Sequence, residues 1–331
     1  MFSISRILAV PMAASALLLL TACGGGSGTS GDTGRLSLSV TDAPVHSVDK
    51  VWITFDAVEL KPESGPPVRV DLDPPVREDL LALQGENDAV LLDKVEMAAG
   101  QYNWVRLFVV SDELDNNGVE PSMVHENSGG EYRLFVPGNQ PPSRNPNQRF
   151  VQLSSPFVVP VDGEADFTID VDLLQALVRK DIPAHPEPFY LLRPSLRIVD
   201  NSEAGAIYGE VASTLACVGQ SEGDGIRNAV YVYDGLEVTP GDVYLHEDGE
   251  VNTRDGIAHP ITTANVDLED GDNVYRYTVG FLTAGDYTVA FTCNAGSDQP
   301  DTNDLENVEF LQQHGVTVGA GERVAQDFND E

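Results

Sequence analysis

Gly219-Gln220-Ser221-Glu222-Gly223 matches the G-x-S-x-G pattern of a serine nucleophile. That chemistry needs a strand, a sharp turn and then a helix, so that the serine sits beside backbone donors. Here Gly225-Ile226-Arg227 and a further strand-like run follow, with no helical pattern. The stretch therefore reads as a glycine-rich loop, and no catalytic residue is assigned. The six histidines are His46, His125, His185, His246, His259 and His314, and none falls in a His-x-His or His-Glu-x-x-His spacing. A zinc or copper site would have to gather them from distant positions. Calcium chemistry is better represented. Asp112, Asp115 and Asn117 place oxygen donors before Gly118, although Val124 stands where a closing glutamate would complete the loop. Asp267-Leu268-Glu269-Asp270-Gly271-Asp272 is a second acidic turn. Such residues also make ordinary hairpin turns. No cofactor is required by the pattern, and calcium stays open as a stabilising ion. Asp42, ahead of Pro44, is expected to accept backbone hydrogen bonds at a turn.

The three cysteines carry more information. Arg6 precedes an apolar run over residues 7–20, which ends in Leu20-Thr21-Ala22-Cys23. A charged start, a short apolar middle and small residues at the end describe a signal peptide over residues 1–22. The run is short for a membrane span, which takes about 20 residues. Leu20-Thr21-Ala22-Cys23 resembles a bacterial lipobox, which implies lipidation of Cys23. Several acyl chains, at roughly 0.8 kcal/mol per buried methylene, would hold the body at a membrane. Residues 23–33 then read as a glycine- and serine-rich tether. Gly24 follows the cysteine in place of the aspartate that retains such proteins in the inner membrane, so the resemblance implies the outer membrane, with the exposed face left open. Export makes Cys217 and Cys293 disulfide candidates.

The chain of 331 residues carries 53 acidic and 19 basic side chains, a formal net charge of −34. That surface repels nucleic acid and anionic lipid. The acids are mixed with apolar residues, unlike a disordered acidic tail.

The elements that would position these groups are strands. Arg35-Leu36-Ser37-Leu38-Ser39-Val40-Thr41 alternates apolar and polar, the pattern of a half-buried strand. Val51, Ile53 and Phe55 share one face, whereas Val58 and Leu60 fall on the other parity, which places a bulge near Asp56. Further strands are expected at residues 102–110, 132–136, 157–161, 167–171 and 191–199. Short helices are expected near residues 78–83 and 173–180, the second capped by Asp172, with Arg179 and Lys180 at its negative end. Residues 201–205 read as a boundary. Beyond them, strands are expected at residues 207–211, 230–233, 243–246, 274–279, 287–293 and 316–318, separated by turn signals. The fold class is mainly β: two β-sandwich domains in tandem, over residues 34–200 and 203–331, with one or two short helices in the first.

Thr41-Asp42-Ala43-Pro44, Ala99-Gly100-Gln101-Tyr102 with Arg106-Leu107, and Tyr190-Leu191-Leu192-Arg193-Pro194-Ser195-Leu196-Arg197 together resemble an uncharacterised bacterial lipoprotein family with a domain of unknown function. The resemblance spans about residues 34–200 and implies a β-rich extracytoplasmic domain without known activity. Gly205-Ala206-Ile207-Tyr208-Gly209-Glu210-Val211 and Leu282-Thr283-Ala284-Gly285-Asp286-Tyr287-Thr288-Val289 resemble a transthyretin-like or carboxypeptidase-regulatory-like β-sandwich. The expected function is a lipid-anchored, non-catalytic binding or scaffold module of the cell envelope, meeting a glycan, a peptide or a partner protein. An envelope enzyme or accessory subunit, and a calcium-stabilised adhesin-like module, are the alternatives.

Overall fold

The computed structural model describes residues 32–45, 48–112, 118–218, 225–246, 249–268 and 274–329. Its contacts group residues 32–331 into one compact unit. In chain order the first strands are β1 (Thr33–Ala43), β2 (Val48–Pro62), β3 (Val68–Asp79), β4 (Ala89–Ala98), β5 (Gly100–Val109), β6 (Met123–Glu126) and β7 (Glu131–Phe135). They are followed by β8 (Phe150–Leu153), β9 (Phe157–Val159), β10 (Glu164–Asp172), helix α1 (Leu173–Ala176), β11 (Leu177–Lys180), β12 (Phe189–Leu192) and β13 (Leu196–Asp200). The remainder is β14 (Ala204–Val211), β15 (Ala229–Asp234), β16 (Thr262–Asn265), β17 (Asp267–Leu268), β18 (Tyr275–Thr283), β19 (Gly285–Thr292), β20 (Phe310–Val318) and β21 (Arg323–Ala325).

The protein is thus mainly β, with tandem sandwich-like pairs of sheets. One sheet runs β13-β10-β1-β4; the largest runs β11-β12-β7-β6-β2-β5-β8, with β3 added on β2 and β9 on β5. The other two run β17-β18-β14-β21 and β16-β15-β19-β20. The bulge near Asp56 is present, as register shifts between Phe55 and Ala57 against both β3 and β5. It lets Val51, Ile53, Phe55, Val58 and Leu60 all reach the core despite their change of parity.

Strand β15 shows how two cores share one strand. Successive side chains point to opposite faces of a sheet. Val230 and Val232 therefore enter the core of the second half with Val289 and Phe291, whereas Tyr231 and Tyr233 enter the core of the first half. A strand covered on both faces carries apolar residues without alternation, and Ala229-Val230-Tyr231-Val232-Tyr233 is such a run. The same covering changes β1. Leu36, Leu38 and Val40 are buried as alternation demands, but Ser39 and Thr41 on the opposite face are buried as well.

Four expectations are corrected. The helix at 173–180 is a single turn, Leu173–Ala176. Asp172 caps it, its carboxylate accepting the Gln175 amide at 3.1 Å. Leu177–Lys180 is strand β11, because pairing with β12 satisfies its backbone. Arg179 and Lys180 therefore do not sit at a helix end. Residues 78–83 hold only a 3₁₀ turn, Leu80–Ala82. Residues 191–199 are two strands in different sheets, broken at Arg193-Pro194-Ser195. Residues 243–246 are not a strand; Leu245 makes one isolated bridge to Val251.

Candidate binding cleft

The structure joins Cys217 to Cys293 in a disulfide with a Cα–Cα distance of 5.7 Å. Cys217 lies beyond β14 in irregular chain rather than on a strand, and is half-buried. The Asn228 side chain brackets its backbone, accepting the Cys217 amide at 2.9 Å and donating to its carbonyl at 2.8 Å. Arg227, one residue earlier, donates its backbone N–H to the Cys293 carbonyl at 2.7 Å. The disulfide therefore braces the segment that presents the Arg227 side chain.

That segment forms one wall of a cleft of about 570 Å³ between the first and second halves. Val45, Leu174, Leu177, Ala295 and Pro300 supply aliphatic surface; Arg179, Tyr190, Glu126, Arg227 and Asp298 supply polar groups. The size falls within the usual range for ligand pockets, ~300–1,000 Å³. Glu126 on β6 accepts from Arg179 at 2.8 Å and from the Tyr190 hydroxyl at 2.7 Å. Burial pushes Glu126 up, but the bonds donated by Tyr190, Arg179 and Ser128 outweigh it and hold the carboxyl below its ordinary range. Glu126 thus stays ionised and occupied, a poor general base. Arg227 spends one N–H on the neighbouring Ile226 carbonyl at 2.8 Å and has no carboxylate within ion-pair distance among the described residues. Strand β11, which brings Leu177 and Arg179 to the cleft, ends its sheet, and among the described residues no strand pairs with its outer edge.

Asp298 closes the inner end. It is 3 % exposed, and its Oδ2 accepts the Tyr231 hydroxyl at 2.9 Å and the Val243 amide at 3.0 Å. Its other oxygen has no hydrogen-bond partner. Burial pushes this carboxyl up to about 7, with Asp242 and Asp304 adding to the rise against the two donated bonds.

Behind the cleft, polar contacts cross between the halves. Arg193, 4 % exposed, donates to the Gln175 and His246 carbonyls, each at 3.3 Å, and to Asp301 at 3.2 Å. His259 lies 3.2 Å from the Gln175 side chain, and burial drops its pKa to about 4.

A second surface gathers aromatic rings and guanidinium groups. Both tryptophans of the chain lie on the outer face of the largest sheet under guanidinium groups. Arg77 stands 4.4 Å over Trp52, and Arg106 lies between Trp104 at 4.2 Å and Phe150 at 4.1 Å. Each cation is already paired: Arg77 with Glu120, Arg106 with Glu59, Arg69 with Asp71 and Arg149 with Asp56. The face is internally satisfied, as a self-covering sheet surface is.

Of the residues singled out in the sequence, Asp112 pairs with Arg144, away from the cleft. Asp115 and Asn117, the G-x-S-x-G stretch at 219–223, His46, Asp270–Asp272 and Cys23 with its signal and tether lie outside the described residues. The remaining histidines are dispersed, and among the described residues no three His, Cys, Asp or Glu side chains gather as a metal site. No described helix is long and apolar enough to cross a membrane. Asp42 is not satisfied at a turn. The parallel pairing of β1 with β10 runs on through Asp42 and Ala43, which buries its carboxylate within the sheet. Arg179, Arg227, Glu126, Tyr190 and Asp298 were not picked out for binding from sequence, since the cleft is made by chain segments far apart.

No curated protein matches the chain. Among solved structures, a leucine-rich repeat protein from Bacteroides thetaiotaomicron is 10 % identical over 91 % of this chain and 26 % of its own, with a TM-score of 0.20. The Bacillus anthracis TIE protein is 10 % identical over 91 % of this chain and 34 % of its own, with a TM-score of 0.19. The fimbrial anchor protein Mfa2 from Porphyromonas gingivalis is 10 % identical over 86 % of this chain and 83 % of its own, with a TM-score of 0.17. The chain spans about a quarter and a third of the first two proteins' lengths. Overlaps this low carry no argument about architecture or role. The family comparison is more direct: residues 33–194 match the model described as a domain of unknown function, DUF4382.

Proposed function

We propose that the protein is a lipid-anchored, non-catalytic binding module of the cell envelope, and that it holds an extended acidic peptide segment of a partner in the cleft between its halves. The observation that carries this reading is the convergence over an aliphatic floor of Arg179 and Arg227, the latter with no carboxylate partner among the described residues. Guanidinium groups take carboxylates in a two-pronged geometry. In a chain of net charge −34, an unneutralised arginine in a concave site selects for anions. The floor favours peptide over sugar: Val45, Leu174, Leu177, Ala295 and Pro300 are aliphatic, and the Tyr190 ring is buried, with its hydroxyl held by Glu126. The free outer edge of β11 offers the backbone hydrogen bonds that an added strand takes. Among the described residues no histidine lines the cleft, and Glu126 is committed to Arg179 and Tyr190, which argues against hydrolysis there.

Anchoring rests on the Leu20-Thr21-Ala22-Cys23 pattern and the glycine tether that follows it. Cells carrying Cys23→Ser should fail to label the protein with radioactive fatty acid; labelling that persists contradicts the anchor. For the cleft, Arg227→Ala should weaken binding of carboxylate-bearing peptides roughly tenfold or more, the scale of a lost charge-assisted pair. Arg77→Ala on the self-paired face should leave it unchanged. An acidic oligosaccharide that binds while such peptides do not would move the ligand to the glycan class.

A further inference from the structure

Strand β20 ends its sheet, paired on one side with β19. Among the described residues no backbone hydrogen bond reaches it from the other side. The described strands of more than four residues that pair with a single neighbour are β3, β4, β13 and β20. An unpaired edge invites an added strand, and folded proteins guard it with charges, prolines or bulges. Strand β3 carries Asp71, Pro74 and Pro75, β4 carries Asp93, Lys94 and Glu96, and β13 carries Arg197 and Asp200. The nine residues of β20, Phe310–Val318, include no Asp, Glu, Lys, Arg or Pro, in a chain of net charge −34. Its register against β19 shifts once, between Phe310 and Gln312, which leaves Gln312 to Val318 as a regular run.

The inward side chains of β20 meet the C-terminal segment. Gln312 donates to the Asn329 carbonyl at 2.7 Å, and the His314 ring lies 5.3 Å from that of Phe328. Side chains stand out from the face of a sheet, so this segment lies under β20 rather than along its edge. On the outward face Leu311 is 42 % exposed, and Gln313, Gly315 and Thr317 are exposed as well. Leu236, 48 % exposed, rests on Gly315, its Cδ2 3.1 Å from where a Cβ would stand.

We propose that β20 pairs edge to edge with β20 of a second copy of this chain, antiparallel about a two-fold axis, so that two four-stranded sheets become one. A two-fold axis brings a surface onto itself. A charged side chain near the axis would meet its own copy, and like charges opposite each other destabilise a strand pair. A strand without charge is what such self-pairing requires. Leu236 and Leu311 add apolar surface beside the paired strands. One strand against one strand falls short of the ~1,600 Å² of a standard interface, so an affinity in the micromolar to millimolar range is expected. Glu309 and Glu322 bound the strand and the two acidic bodies repel, so salt should tighten the pairing. The proposal rests on neither the cleft nor the lipid anchor.

The test is sedimentation equilibrium of the purified protein at concentrations up to about 1 mM. Wild type should pass from monomer to dimer as concentration rises, and more readily at higher salt. Gln313→Lys, a change at an exposed position in mid-strand, should weaken the dimer roughly tenfold, since the two-fold axis repeats each like-charge contact. Mixing that variant with Gln313→Glu should restore association, because the facing charges are then opposite. A wild type that stays monomeric, or a dimer that salt weakens, overturns the inference. So does a dimer that Gln313→Lys leaves intact. If the mixture fails to recover the association that Gln313→Lys lost, the edge takes a different occupant, and pairing with a second copy is overturned.

Discussion

Opening the Cys217–Cys293 disulfide is expected to cost about 4–5 kcal/mol, the chain-entropy value for a loop of this length. The two cysteines are 76 residues apart in sequence, and the closed loop contains β15 to β19. In a body of this size the midpoint should fall by about 10 °C. The matched measurement is a melt of wild type with and without reductant beside the Cys217→Ala/Cys293→Ala double variant. Reduced wild type and the variant should coincide, both below oxidised wild type, and the variant should ignore reductant. Coincidence of reduced and oxidised wild type would remove the disulfide from the stability of the fold. A second consequence is local. The bridge braces the chain that presents Arg227, so the reduced protein should also lose affinity at the cleft while still folded.

Asp298 sets the pH dependence of that same seam. Its folded pKa is about 7, against an unfolded value of about 3.9. The folded state therefore holds the proton more tightly, and its stabilising contribution is present at low pH and lost as pH rises through about 7. Asp298→Asn removes the titration. An amide oxygen accepts the Tyr231 and Val243 bonds as the carboxylate does, and the amide nitrogen replaces the oxygen that has no partner. The stability of the variant relative to wild type should thus climb from pH 4 to pH 8, by up to about 4 kcal/mol for roughly three pKa units. His259, whose pKa is lowered to about 4, titrates in both proteins and cancels in the difference. Chemical denaturation of the two proteins across that range measures it. A difference that stays flat with pH means that Asp298 is ionised throughout.

Much of the architecture was legible because it rests on period-two burial. The strict alternation of Leu36, Leu38 and Val40 gave β1, and the change of parity between Phe55 and Val58 gave the bulge. What was not legible arises between distant segments. Alternation assigned Ser39 and Thr41 to solvent, but the second half covers that face. Leu177–Lys180 continued an apparent helix until a strand 12 residues further on paired with it, Lys180 facing Phe189 and Leu177 facing Leu192. Pro74 and Pro75 hid part of β3, since proline reads as a break in an edge strand. The cleft was invisible for the same reason. Arg179 and Arg227 have no common motif, and only the packing of β11 against the disulfide-braced segment places them on one cavity. The acidic composition was the one hint, because it makes any arginine without a carboxylate unusual.

The central claim is that this cleft selects a carboxylate on an extended peptide. It is tested most directly by calorimetric titration of the purified protein with matched peptides, one carrying acidic side chains and one carrying their neutral amide counterparts. The account predicts that the acidic peptide binds, that the amide peptide is at least roughly tenfold weaker, and that Arg227→Ala erases the difference between them. Equal affinity for the two peptides, or a preference that survives Arg227→Ala, would contradict it.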